Sequence, residues 1–477
     1  MTFKHRLNAW VPIRPGFKPR LPLWTVTQLS VLLLPFSSLL SSLGILLVAL
    51  GLWLQRFPGI VRRPVNWGFA VLSVLMLIST ALAFNRMDAL LGLFNFLPFF
   101  FVFAGLSEWL QTPAKLRRIA WLLVIGSVPV VAIGFGQQFF GLSGQMQLLW
   151  IVADWSIAPT GNPPGRMASI FSYANVLASY LSVTLMLSLG LWLEMFLSDQ
   201  QSVVSDQWSA DGGQWSVAIG QEEDAEGEAV AQNSPRLQIF LMVAVLGNAI
   251  ALVLTNSRNA WAIAVFACLA YALYLGWRWL LVGVGVVVSS ALGAAFTPVP
   301  GRDWLRVVVP EFFWARLTDQ RYTDRPLAQL RSTQWRFAWS LTQQHPLNGW
   351  GLRNFTPLYQ AQMQYFIGHP HNLLLMLAAE TGIPAALLFF GLVGWIVVQG
   401  SLMLYAKMPL SDAGGRTETH DRLLYFSYLV AFVGCTLFSF LDVTLFDVRI
   451  NLLGWLLLSA IAGMVYRGQG VGVGSRE

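Results

Sequence analysis

Apolar runs dominate this chain, and they recur at lengths that suit a bilayer better than a globular core. They lie near residues 24–37, 39–54, 67–84, 88–109, 119–140, 175–197, 237–255, 260–276, 279–296, 373–404, 422–441 and 450–466. Crossing the hydrocarbon layer takes about 20 helical residues. The pattern therefore predicts an all-α polytopic membrane protein with about twelve transmembrane helices and one large loop, residues 297–370. The stretch Leu237–Gly276 is apolar except around TNSRNAW at 255–261. As one helix it would run about 60 Å, twice the layer. A turn is expected at Asn256–Asn259, where short polar side chains suit helix ends.

Composition agrees: 56% of the 477 residues are hydrophobic and only 11% charged, against about 25% charged in soluble domains. The net charge of +7 hides a partition, because residues 198–235 hold eight acids and no base. That stretch reads as a disordered cytoplasmic loop. With the amino terminus in the cytoplasm, the basic connections 55–66, 110–118 and 405–421 all fall inside. All four lysines join them, as the positive-inside rule expects.

The expected organisation is a cytoplasmic segment 1–22, six helices over 23–197, the acidic loop 198–235, three helices over 236–296, the outer loop 297–370, three helices over 371–466 and a cytoplasmic tail 467–477. Both termini are then cytoplasmic. The first 22 residues are basic with no compact apolar core, so no cleavable signal is expected. Cys268 and Cys435 sit in apolar runs and suggest no disulfide. Without a soluble basic domain, the excess positive charge points to membrane lipids and not to nucleic acid.

Candidate chemistry gathers on the outer side. Arg258 falls at the boundary, where a guanidinium needs water or an anionic partner. The 297–370 loop carries eight arginines, four acids and no lysine, and arginine is the side chain whose planar fork grips phosphate in two places. Within it, residues 327–344 read as an amphipathic helix with Arg331, Trp335, Ala338 and Thr342 on one face. Arg336 lies about 140° round from Arg331. A third outer arginine, Arg166, stands in GRMASIFSYAN before Asn175.

Two of the five histidines fall in HPHN at 369–372. His369 and His371 alternate as a chelating pair does, yet no third ligand stands at a recognised spacing and no HExxH occurs. Glu380 is nine helical residues on, about 13 Å away and on the opposite face. No metal is expected. A neutral imidazole at the membrane surface can instead take a proton from a hydroxyl near pH 7. Beside guanidinium groups that hold a diphosphate, that describes a hydroxyl attacking a carbon whose leaving group is a lipid diphosphate, with fixed cations in place of a metal.

Taken in order, these residues resemble the membrane O-antigen ligase and polymerase family. The likeness rests on SRNAW at 257–261, on Arg331 and Trp335 leading into PLNGWGLRNF at 346–355, and on His371–Asn372 followed by Gly382. The resemblance implies a metal-independent, inverting glycosyltransferase of the GT-C type without cofactor, in the bacterial plasma membrane. Such an enzyme moves a glycan from undecaprenyl diphosphate to a hydroxyl of a lipid or other acceptor at the periplasmic face, in ligase or polymerase fashion. By matching position, Arg258 and Arg331 would hold the donor diphosphate and His371 would be the base. Arg166, Asn175, Arg336, His369 and Asn372 join them as expected substrate-binding residues. Asn259 stands where the family usually has glycine, and FSYAN where Asn-Pro-Asn is common. The ending FLDVTLFDVRINLLGWLLLSAIAG at 440–463 also looks like cyanobacterial members labelled bicarbonate transporters. On that alternative Glu380, Asp442, Asp447 and Arg449 would line an ion path; otherwise they pair locally at helix ends.

Overall fold

The computed structural model describes residues 23–148, 153–210, 235–318, 326–406 and 416–474. The first apolar run gives only α1 (Leu23–Leu33), eleven residues or about 16 Å. Ser37 then caps α2 (Ser38–Arg62), accepting the Leu40 N–H. Pro64 opens α3 (Pro64–Ala81), at a position where its missing donor is no loss. Asn85 caps α4 (Arg86–Leu93), which continues after a turn as α5 (Leu97–Ser107). Thr112 caps α6 (Pro113–Phe140), and Gly141 ends it at φ 67°, the left-handed closure glycine makes cheaply.

A hairpin follows that the hydrophobic pattern does not predict. Strands β1 (Gly144–Leu148) and β2 (Ala153–Ile157) pair antiparallel with Met146 opposite Trp155. The Trp155 indole N–H donates to Phe36 O at 2.7 Å and ties the hairpin to the α1–α2 turn.

Helix α7 (Ala174–Ala210) runs beyond the expected start of the acidic loop at 198, and residues 211–234 of that loop lie outside the described residues. Helices α8 (Pro235–Leu254) and α9 (Arg258–Leu275) flank the turn expected at 256–259, and α10 (Arg278–Phe296) completes the group. The segment expected on the outer side folds as α11 (Gly301–Val308), α12 (Glu311–Leu317), α13 (Arg331–Gln344) and α14 (Phe355–Met363) among the described residues. The helix expected over 327–344 thus starts at Arg331, after a 3-10 turn at Leu327–Gln329. The chain returns through α15 (Leu373–Thr381), α16 (Ile383–Tyr405), α17 (Arg416–Leu441) and α18 (Val448–Gly474).

Eleven helical stretches among the described residues are long and apolar enough to cross a membrane, with α4 and α5 together making one of them. The architecture is all-α and polytopic. The span of α18 is 89% buried and that of α7 83%, whereas α10 is 11% buried. The core therefore sits around α7, α17 and α18, with α10 at the lipid-facing rim. Close helix contact needs small residues in a membrane. A Cβ added to Gly463 would lie 2.2 Å from Leu110 O.

The run 373–404, expected as one span, is two helices broken at Gly382, where φ is 86°. Backbone groups freed by such a break must find partners inside the protein. The loop 346–351 supplies them. The Ile383 N–H donates to Pro346 O at 2.8 Å, Trp350 N–H to Ala379 O at 3.0 Å and Gly351 N–H to Glu380 O at 2.8 Å. The fit is tight on both sides: an added Cβ would sit 2.2 Å from Leu347 O at Gly382 and 2.4 Å from Glu380 C at Gly349. Above this junction Phe337, Ala338, Leu341, Phe355, Tyr359 and Ala379 form a small core of their own, which seats α13 and α14 on the membrane helices.

Candidate functional site

Two helix breaks meet at the end of the molecule that carries this outer segment. The first is the turn 255–257 between α8 and α9. The second is the segment 369–372 before α15, held by the Trp335 indole N–H donating to Pro370 O at 3.0 Å. That bond uses the α13 face foreseen for Arg331 and Trp335. Asn372 caps α15 by accepting the Leu375 N–H at 3.0 Å, so its side chain is committed to the helix. His371 precedes it at φ 53°. A non-glycine residue persists in this region only where its surroundings impose it, and such residues cluster at functional sites.

What imposes it is Asp442, one residue past the end of α17. Asp442 Oδ1 lies 2.7 Å from His371 Nδ1. The carboxylate is buried while the imidazole keeps 28% of its side-chain surface exposed. Asp442 Oδ2 accepts from Asn175 Nδ2, and Asn175 Oδ1 accepts from Arg166 Nη2. Arg166 in turn donates from Nε to Thr255 O at 2.8 Å, in the α8–α9 turn. A continuous relay therefore joins the turn before Arg258 to His371. Its direction is fixed chemically, because a guanidinium only donates. Asn175 must present oxygen to Arg166 and its N–H to Asp442.

Charge follows the same logic. Burial alone would raise the Asp442 carboxyl. The His371 hydrogen bond and the positive charge of His371 and Arg331 outweigh that and hold it at about 2. The carboxylate is thus ionised at pH 7 and accepts from His371 Nδ1–H. With Nδ1–H committed to Asp442, Nε2 is the ring nitrogen that can take a proton. His369 is pushed down to about 4, first by burial and then by His371. Its neutral Nδ1 accepts the His371 N–H at 3.2 Å, and its ring stacks on Phe446. It positions the His371 backbone.

This shift has a measurable sign. The unfolded state binds the His369 proton with the ordinary value of 6.5 and the folded state only near 4. Stability is full above 6.5 and falls as pH drops toward 4. The loss is about 1–3 kcal/mol once the ring's partial exposure is discounted. Melting temperatures between pH 7 and 4.5 should fall more steeply for wild type than for His369→Asn, which keeps an acceptor near the Nδ1 position. Parallel curves would show that His369 is not held neutral.

The structure brings His369, His371, Arg166 and Asn175 together by direct contact, with the last two buried. Arg331 stands close enough to act electrostatically on both His369 and Asp442. Arg258 opens α9, three residues beyond Thr255. A helix N-terminus adds its own attraction for anions. Arg336 is exposed on α13, and no hydrogen bond joins it to this group among the described residues. His369, His371 and Asp442 also place ligand atoms within 4.8 Å of one another. Asp442 is the third group that no spacing rule supplied, and the hydrogen bonds in which all three already engage fit a proton acceptor. The charges of the transporter alternative are engaged too, except for one buried Glu380 oxygen that has no hydrogen-bond partner among the described residues. Glu380 accepts the Phe355 N–H at 3.2 Å, and Asp447 pairs with Arg449 at 2.5 Å.

Residues 238–390 match the family model described as O-antigen ligase. This stretch is similar to the O-antigen ligase family. It covers about a third of the chain and contains Arg258, Arg331, Arg336, His369, His371 and Asn372, whereas Arg166, Asn175 and Asp442 lie outside it. A search of curated proteins found no match. The match supports a function of O-antigen ligase or polymerase type in general.

Proposed function

We propose that the protein transfers a glycan from a polyprenyl diphosphate, undecaprenyl diphosphate in bacteria, to an acceptor hydroxyl at the outer face of the plasma membrane. The acceptor oxygen attacks the anomeric carbon as the carbon–oxygen bond to diphosphate breaks, which inverts that centre. The hydroxyl proton passes to His371 Nε2. Asp442 holds the imidazole in the required tautomer and stabilises the imidazolium, the role a buried carboxylate plays in a hydrolase triad. Arg258 and Arg331 bind the donor diphosphate and balance the charge it gains on departure, so neither a metal nor a general acid is needed. The observation that carries this reading is the 2.7 Å contact between Asp442 and His371 beside Arg331.

What supports this orientation is the concentration of basic residues at the opposite end, where Arg56, Arg63, Lys115 and Arg117 gather. The test uses proteoliposomes loaded with lipid-linked glycan, a membrane-impermeant acceptor and a chelator on both sides. Transfer is expected only when the His371 face is outside, with release of polyprenyl diphosphate. Arrest by the chelator would refute the metal-independent chemistry, and transfer from the opposite face would refute the orientation.

A further inference from the structure

At the end remote from His371, a groove of about 700 Å³ opens between the α2–α3 turn, α16 and α18. Its walls are mixed in a particular way. Val65, Leu392 and Trp395 line one part and Arg62, Arg63 and Tyr466 the other. Trp395 is 42% exposed, so the apolar part is open at the surface of a membrane span. Arg62 is exposed beside it. Arg63 donates from Nε to Glu108 at 2.6 Å and lays its guanidinium over the Tyr466 ring at 4.1 Å. Arg62 and Arg63 thus both line the groove, and the carboxylate that pairs with Arg63, Glu108, is buried behind it.

A second observation points to a missing acceptor. Tyr466 is 4% exposed, and its hydroxyl has no hydrogen-bond partner among the described residues. A buried O–H left so costs about 1–3 kcal/mol, and native structures rarely leave one without a purpose. An occupant that fits must bring an anionic oxygen to Tyr466 and the arginines, and an aliphatic chain to Leu392 and Trp395.

We infer that this groove binds one anionic phospholipid of the leaflet at that face. Its phosphate sits between Arg62, Arg63 and the Tyr466 hydroxyl, and an acyl chain lies along Leu392 and Trp395. Bidentate guanidinium contact suits a phosphodiester, and juxtamembrane arginines are drawn to anionic headgroups. The groove shares no residue with the His371 site, so the inference stands independently of the proposed reaction.

Native mass spectrometry of the full-length protein in detergent, titrated with phosphatidylglycerol or phosphatidylcholine, tests it. Wild type should hold one phosphatidylglycerol at least about tenfold more tightly than phosphatidylcholine. The double variant Arg62→Gln/Tyr466→Phe should lose that preference, by the roughly tenfold factor of a charge-assisted hydrogen bond. Should the double variant not fold, Tyr466→Phe alone removes one oxygen from the groove and must still weaken phosphatidylglycerol. Equal affinity for the two lipids in wild type, or unchanged binding in the variants, overturns the inference.

Discussion

Replacing His371 by asparagine is expected to lower glycan transfer by about 10²–10⁴-fold, the range general-base catalysis supplies, while the protein stays folded. Asparagine is the informative choice. It tolerates the left-handed backbone found at φ 53°, and its amide N–H can still reach Asp442. What it lacks is the basic nitrogen at the Nε2 position. His371→Ala should be as inactive but less stable, because Asp442 would then be buried with one oxygen unpartnered, at about 1–3 kcal/mol. The measurement is transfer rate at saturating donor together with a thermal melt. An asparagine variant that keeps full activity removes His371 from the chemistry.

Asp442→Asn should have the second largest effect, and the relay explains why. Arg166 fixes the Asn175 amide so that its N–H faces position 442. An asparagine there must answer with its oxygen and turn its own N–H toward His371. The imidazole is then driven to accept at Nδ1 and to carry its proton on Nε2, the wrong tautomer for a base. A loss of about 10⁴-fold accompanies that error in the hydrolase triad. Here a fall of at least about a hundredfold in kcat is expected, with little change in KM for the lipid-linked donor. A variant with raised KM and normal kcat would instead place Asp442 in donor binding.

The helices could be read from the chain because run length and charge scarcity are local properties. Leu237–Gly276 could be divided by eye, since only a turn accommodates TNSRNAW inside an apolar stretch of that length. The separation of Arg336 from Arg331 followed from helix geometry alone. Local signals were silent where the structure depends on distant partners. Asp442 lies 71 residues from His371, and in sequence it looked like one more charge at a helix end. The break at Gly382 was hidden because α15 and α16 are apolar on both sides of it. Only the loop 346–351 shows why the chain stops there. The β1–β2 hairpin is held by Phe36, 119 residues from Trp155, and nothing near it announces the pairing.

The seam between Gly382 and the loop 346–351 also sets an order of events during biogenesis. A nine-residue helix such as α15 is about 14 Å long and cannot be recognised as a span when it emerges. Its loose end is satisfied by carbonyls and amides of the loop 346–351, with Ser79 Oγ also donating to Glu380 O at 2.9 Å. That segment has to fold before α15 can settle, and the approach of His371 to Asp442 depends on it. The contact between His371 and Asp442 thus depends on a seam in which neither side chain takes part.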